Sequence, residues 1–205
     1  MKKIILFLSL ISSFAFADEG RPRIGFEYEY EKSATSSTTN TAMAVMPGIQ
    51  WKEGMINRAE LYLEGNQDNM WENGSTGNTT ETKVGVRLRK DFKFGGNFGG
   101  YIRGLVGRSM SSDDNYNYAY WEPALKYDFN KQFGVTASYR IIRSIDGSTG
   151  HDKNKLRIGP NYNIDDHHSV ELRYVRAYAA EHNFFNLQNN ELKSTAYIFE
   201  YAYKF

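Results

Sequence analysis

The last stretch of the chain, from Tyr197 to Phe205, carries an aromatic residue at every second position. Neighbouring side chains of a β-strand point to opposite faces, so one face of this segment would be aromatic. The other face would carry Glu200 and Lys204. Such a strand is stable where one face meets an apolar environment and the other meets water. The segment therefore predicts a sheet whose two faces contact different solvents.

The first 17 residues have the three parts of a secretory signal peptide. Two lysines follow Met1, an apolar run covers residues 4–11, and Ala15 and Ala17 supply the small residues that precede a cleavage site. The apolar run is shorter than the roughly 20 residues that a membrane-spanning helix needs, which disfavours a membrane anchor. We expect cleavage after Ala17 and a single domain over residues 18–205.

Amphipathic segments like the last one recur along the whole chain and are joined by alternating short and long connections. This arrangement predicts an all-β protein, a transmembrane antiparallel up-and-down β-barrel of about ten strands, with eight or twelve as the alternatives. A long polar loop is expected at residues 66–79, between the third and fourth strands. The predicted strands cover residues 21–32, 42–52, 55–65, 80–92, 98–109, 116–129, 132–143, 154–164, 168–178 and 193–205.

A barrel of this kind belongs in the bacterial outer membrane. The aromatic residue at the chain end resembles the signal that the barrel-assembly machinery reads in the last strand of such proteins. We therefore expect that machinery and periplasmic chaperones as folding partners, and membrane lipid and lipopolysaccharide as the surroundings. The high aromatic content, with 15 Tyr, 13 Phe and 3 Trp, suits the aromatic girdles of a membrane barrel.

Composition argues against several other classes of protein. The chain has no cysteine, which excludes disulfide scaffolds and thiolate metal sites. A net charge of +1 gives no overall attraction to nucleic acid. The histidines are assigned to different turns and loops, so no metal site and no cofactor are expected.

Charged side chains share one parity on the predicted strands and would therefore face the lumen. A cylinder of ten strands is roughly 20 Å across its backbone, which is intermediate between filled and open barrels. Two interpretations stay open: the charges pair and fill the lumen, or a basic wall selects anionic solutes. The predicted lining is Arg87, Arg89, Arg103, Arg140, Lys155, Arg157, Arg173, Glu27, Glu29, Glu122 and Glu171.

Three prolines fall inside predicted strands: Pro47, Pro123 and Pro160. Proline cannot donate a ladder hydrogen bond and is normally excluded from interior strands. All three have the lipid-facing parity. We expect each of them at a β-bulge or near the end of a strand.

Several segments resemble the oligogalacturonate-specific porin family, which includes the sialic acid porin. The opening strand at 25–31 (GFEYEYE) is similar to that family's first strand. Residues 121–130 (WEPALKYDFN) with 134–140 (GVTASYR) resemble its central hairpin, and 155–163 (KLRIGPNYN) with 170–174 (VELRY) resemble the next hairpin. The likeness covers the C-terminal half well and the N-terminal half loosely.

That resemblance implies a narrow, monomeric, anion-selective channel for acidic oligosaccharides, lined by opposing basic tracks. By position, the lining arginines would be Arg87, Arg89, Arg140, Arg157 and Arg173. The family has twelve strands, whereas this sequence predicts about ten, so a narrower pore is expected here.

The sequence therefore favours a narrow porin for passive diffusion of small anionic solutes, which could include acidic oligosaccharides. The first alternative is a closed barrel whose outer loops contact the environment. The second is a hydrolase at the outer rim, suggested by Asp113, Asp114, His151 and Asp152 in outer loops. Adjacent acidic residues are common in polar loops, so no catalytic residue is predicted.

Overall fold

A computed structural model describes residues 20–72, 75–112, 114–148, 150–183 and 191–205, and the side chains of all of these except 68–72 and 75–79. The described residues form ten strands in one closed barrel. The predicted signal peptide and Asp113 lie outside them. The strands are β1 (Arg21–Ser33), β2 (Thr39–Gln50), β3 (Arg58–Glu72), β4 (Ser75–Gly95), β5 (Phe98–Ser111), β6 (Asn115–Asp128), β7 (Phe133–Ser144), β8 (Lys153–Asn163), β9 (His168–Ala179) and β10 (Leu192–Lys204).

Each strand pairs antiparallel with its neighbours in sequence, and β1 pairs with β10 to close the barrel. The closing seam is in continuous register from Arg23 opposite Lys204 to Ser33 opposite Ser194. This confirms the predicted up-and-down β-barrel and the count of ten strands. In the described ranges, no helix is long and apolar enough to cross a membrane.

The alternation read from the sequence sets the two faces of the wall. On β1, Phe26, Tyr28 and Tyr30 are each more than 40% exposed, whereas Glu27 and Glu29 are buried in the lumen. A register slip of one residue would exchange these faces and put carboxylates against hydrocarbon. The period-2 pattern therefore determines both the register and the orientation of the sheet.

The predicted long loop at residues 66–79 is wrong. β3 continues to Glu72 and β4 begins at Ser75, and the two remain paired up to Glu72 opposite Ser75. Polar Asn, Gly and Thr residues suggested a loop, but a paired hairpin satisfies their backbone groups without requiring an apolar face. The opposite error occurs between β2 and β3, where the connection is longer than predicted because β2 ends at Gln50 and β3 begins at Arg58.

The expected β-bulges at the prolines are wrong, whereas Pro47 and Pro160 do lie near the ends of β2 and β8, at Gln50 and Asn163. Pro47, Pro123 and Pro160 lie within strands, opposite Ile24, Ile102 and Val135 of one neighbour, with no shift in register there. On the other side of each proline the ladder lacks two pairs and then resumes in the same register. Each proline therefore interrupts pairing with a single neighbour, which costs the wall few hydrogen bonds and needs no bulge.

One part of the outward face is covered. Ile141, Arg143 and Asn154 have the outward parity, yet none of them is measurably exposed. The Arg143 guanidinium donates a 2.9 Å hydrogen bond to the backbone oxygen of Asn183, in the connection between β9 and β10. The described start of that connection, up to Asn183, therefore lies against the outside of the β7–β8 hairpin, and Ile141 does not face lipid as its parity predicted.

Candidate functional site in the barrel lumen

Glu122, on β6, is the centre of a buried ionic cluster. Its carboxylate accepts hydrogen bonds from Arg103 Nη2 at 2.8 Å, Arg140 Nε at 2.6 Å and Arg157 Nη1 at 3.1 Å. Ser138 Oγ adds a fourth donor at 2.8 Å. These donors come from β5, β7 and β8, so one carboxylate ties together strands on both sides of its own. Charge-assisted bonds of this kind are about twice as strong as neutral ones.

A second cluster lies on the side of the lumen formed by β1, β3, β4 and β10. Arg87 Nε donates to Glu60 Oε2 at 2.7 Å, and neither side chain is exposed. Arg23 bonds both Glu60 and Glu200, the latter at 3.2 Å. The cluster therefore crosses the seam that closes the barrel, since Arg23 is on β1 and Glu200 on β10.

Further charges pair along the lumen wall. Lys155 Nζ lies 3.0 Å from Glu29 Oε1, which joins β8 to β1 across the lumen. Arg89 pairs with Asp91 at 2.6 Å, and its guanidinium lies 3.8 Å from the centre of the Tyr101 ring.

Arg173 has a structural role besides its pairing with Glu171. One of its Nη atoms lies 3.4 Å from the carbonyl oxygens of Gly159 and Pro160. Those carbonyls are at the place where Pro160 interrupts the β8–β9 ladder. The arginine therefore donates to backbone acceptors where the ladder is incomplete.

A periplasmic and an outer cavity lie in the lumen, and no described residue lines both. The periplasmic cavity measures about 620 Å³ and includes Arg58, Arg89 and Lys126 in its lining. The outer cavity measures about 300 Å³ and includes Tyr62, Tyr118 and Arg140. Between them is a layer that lines neither cavity, here called the charged septum: Glu27, Glu60, Arg87, Arg103, Glu122 and Arg157.

All the predicted lining residues are on the inward side of the wall, and most are buried. Arg87, Arg103, Arg157, Glu27 and Glu122 meet in the charged septum. The remaining predicted residues lie above or below it, lining a cavity or the wall: Arg89, Arg140, Lys155, Arg173, Glu29 and Glu171. Whether they line a conducting path stays a prediction.

An apolar wall inside the lumen escaped sequence analysis. A buried cluster forms on β2, β3, β5 and β6, and its members point inward. Inward parity could have identified it, because Ala44 and Met46 alternate with the outward Met43 and Val45. Charged residues give a stronger signal of the inward face than these apolar positions do. The cluster consists of Ala44, Met46, Tyr62, Leu105, Tyr118 and Tyr120.

The residues suggested for a rim hydrolase form two separate pairs. His151 Nε2 lies 2.6 Å from Asp114 Oδ2, and its ring stacks on Tyr116 with centres 3.7 Å apart. Asp152 instead contacts His182 at 2.7 Å. Among the described residues, no group of three or more such side chains could hold a metal ion.

A further acidic residue of the outer rim anchors the β7–β8 connection. The backbone N–H of Asn117 donates to the Asp146 carboxylate, and Ser148 Oγ donates to it at 2.8 Å. These bonds favour the charged form and hold the pKa of the Asp146 carboxyl below its ordinary value.

Comparison with solved structures shows a likeness to outer-membrane barrels. An outer-membrane channel of Pseudomonas putida F1 matches with a TM-score of 0.56 at 10% identity, over 91% of this chain and 96% of that one. NanC porin matches at 0.48 and 11% identity, over 88% and 100% of the two chains. KdgM porin in complex with disordered oligogalacturonate matches at 0.43 and 8%, over 88% and 99%. No protein-family model and no curated protein matches the sequence.

At these identities the shared feature is the fold. A closed barrel with an apolar exterior and a charged lumen is the architecture of a bacterial outer-membrane protein, which agrees with the predicted location.

Proposed function

We propose that the protein is a narrow, monomeric outer-membrane channel for passive diffusion of small anionic solutes, with the charged septum as its selectivity filter. The observation that carries this proposal is an excess of cationic side chains buried in the lumen, together with unused hydrogen-bond donors in the septum. Among the described residues, the buried cations of the lumen outnumber its buried glutamates: Arg23, Arg58, Arg87, Arg103, Arg140, Lys155, Arg157 and Arg173 against Glu27, Glu29, Glu60, Glu64, Glu122 and Glu200.

Many of these donors are unused. Both Nη atoms of Arg87, and the Nε atoms of Arg103 and Arg157, have no hydrogen-bond partner in the described part of the chain. Buried guanidinium groups in this state favour an incoming anion, because it supplies acceptors that the surrounding carboxylates do not. Rings of Arg and Lys select anions in pores for the same reason.

For an anion to pass, it must take the place of a glutamate as the hydrogen-bond partner of arginines in the charged septum. An anion entering between the two ionic clusters would accept hydrogen bonds from the Nη atoms of Arg87, one of which lies 3.9 Å from Glu200 Oε1. The Glu122 cluster would stay intact on the opposite wall. The solute would be small, since buried ion pairs fill the layer between the cavities of about 300 and 620 Å³. This arrangement suits small anions better than extended oligosaccharides.

Reversal potentials of the refolded protein in planar bilayers, measured across a salt gradient, test this proposal. We expect discrete conductance steps with anion preference, and a smaller preference in Arg87→Gln. Arg176→Gln is the matched control, because Arg176 is exposed on the outward face of β9 and its loss leaves the septum unchanged. Cation preference, or equal effects of the two substitutions, would contradict the assignment of the filter.

The charged septum also favours a second candidate function. A lumen closed by ion pairs suits a barrel that displays its outer connections without transporting solute. A silent bilayer from protein that circular dichroism shows to be folded would support this function and exclude the channel.

A further inference from the structure

The outer cavity has one wall that is unlike the rest of the lumen. Tyr62, Tyr118 and Tyr120 line it, and behind them lie Met46 and Leu105, which are 0% and 2% exposed. These residues form an aromatic surface in a cavity whose other walls carry charged side chains, Glu64, Lys83 and Lys155 among them. A flat apolar group placed against this surface would remove apolar area from water.

Contacts within the chain show that this wall accepts planar groups. The Arg140 guanidinium lies 4.3 Å from the centre of the Tyr120 ring. Further out, the His151 ring stacks on Tyr116 with an angle of 14° between the planes. Both tyrosines are on β6, where Tyr116, Tyr118 and Tyr120 share the inward face. Planar groups therefore already stack at each end of this row.

Unused donors lie at the deep end of the same cavity. Tyr120 Oη and Arg140 Nη2 have no hydrogen-bond partner among the described residues, and both side chains are more than nine-tenths buried. A carboxylate can accept from a phenol and from a guanidinium at once, because it has two oxygens with free lone pairs. The aromatic wall and these donors meet at Tyr120, so one ligand could use both.

We propose that the outer cavity is a binding site for small aromatic carboxylates, whose ring packs on the tyrosine wall and whose carboxylate binds Arg140 and Tyr120. This inference rests on the proposed channel function, and it names the class of anion that the channel takes. The volume of about 300 Å³ is at the small end of the range for ligand pockets, which favours a small ligand. A sugar acid fits this wall less well, because hydroxyl groups placed against the tyrosine rings find no partners there and could bond only polar side chains on the other walls, such as Asn66 and Lys83.

Isothermal titration of the refolded protein in detergent micelles tests the site directly, with benzoate as the probe and protein-free micelles as the blank. We expect saturable binding of benzoate. Acetate lacks the ring, benzyl alcohol lacks the charge and glucuronate replaces the flat ring by a polyol, so each should bind at least tenfold more weakly. Glucuronate binding as tightly as benzoate would overturn the proposal.

Variants locate the site. Tyr120→Phe keeps the ring and removes the hydroxyl, so benzoate affinity should fall about tenfold, the effect of one lost hydrogen bond. Arg176→Gln, on the outward face, should bind as the parent does. Equal affinity of the parent and Tyr120→Phe would contradict the assigned contact.

The titration does not depend on transport, so the two proposals can fail separately. Benzoate binding by a protein that is silent in bilayers would support the binding site and exclude the channel. A conducting, anion-selective protein that does not bind benzoate would overturn the binding site alone.

Discussion

Glu27 and Glu200 lie directly opposite each other across the seam where β1 and β10 close the barrel. Glu200 accepts a hydrogen bond from Arg23, whereas Glu27 Oε2 has no partner in the described part of the chain. Like charges in directly opposed positions destabilise a sheet. The seam therefore keeps an unfavourable pair of carboxylates at the level of the charged septum.

Replacing Glu27 by Gln should stabilise the barrel. The substitution keeps the side-chain shape and removes a poorly partnered buried charge opposite Glu200, so we expect a gain of about 0.5–1 kcal/mol in the free energy of unfolding. Urea unfolding in lipid vesicles, followed by tryptophan fluorescence, measures this gain. A loss larger than about 1 kcal/mol would show that Glu27 is needed to neutralise neighbouring arginines.

Replacing Glu122 by Gln should have the opposite effect. Three buried arginines would lose their shared carboxylate, and breaking a buried ion pair from one side typically costs about 3–5 kcal/mol. The same unfolding experiment measures this loss. Anion preference in bilayers should rise, because the released guanidinium groups would be free to bind solute. Unchanged stability would mean that the Glu122 cluster contributes little to the fold.

Substitution by alanine should affect Gly159 and Gly65 very differently. Gly159, next to Pro160, lies close to the backbone of the neighbouring strand, whereas Gly65 does not. A Cβ atom added at Gly159 would lie 2.0 Å from the carbonyl oxygen of Leu172, whereas one added at Gly65 would have no atom within 4 Å. Gly159→Ala should therefore destabilise the barrel by about 1–3 kcal/mol, as overpacking does. Gly65→Ala is the control, and it should leave the unfolding midpoint nearly unchanged. Similar midpoints for the two variants would contradict the close approach.

The Asp146 carboxylate should hold the β7–β8 connection in place only while it is charged. Since its pKa in the folded protein is below the ordinary value of 3.8, its stabilising effect is complete above that value and is lost as the pH falls through the lowered pKa. The protection factor of the Asn117 amide, its exchange rate relative to that of an unstructured peptide at the same pH, should therefore fall below pH 3.8. Asp146→Asn should exchange faster at neutral pH and lose this pH dependence; an unaltered profile in that variant would disprove the contact.

Sequence periodicity predicted the barrel well because the bilayer imposes a strict alternation on every residue that crosses it. Phe26, Glu27, Tyr28 and Glu29 could be assigned to opposite faces without any knowledge of their partners. The lengths of the strands were harder to predict outside the bilayer, where no alternation is imposed. The polar continuation of β3 to Glu72 has backbone pairing but no apolar face, and hydropathy does not detect pairing.

The candidate site was predictable only in part, for a related reason. Parity placed Arg87 and Glu122 inside the lumen, but it carries no information on which strands meet across it. The grouping of Glu122 with Arg103, Arg140 and Arg157 depends on barrel closure and side-chain reach. The apolar wall was missed because inward positions were judged by their charges, although Met46 has the same parity as the polar lumen residues.

The β3–β4 hairpin extends beyond the rest of the wall. β2 is last paired with β3 at Thr39 opposite Asn69, and β5 is last paired with β4 at Ser111 opposite Glu81, so the strands continue past these points with only each other as neighbours. β4 has 21 residues, about twice the 9–11 that a strand needs to cross a bilayer. For a phage, an antibody or a protease approaching the cell, the paired end of this hairpin at Glu72 and Ser75 stands farther out than the strands on either side of it.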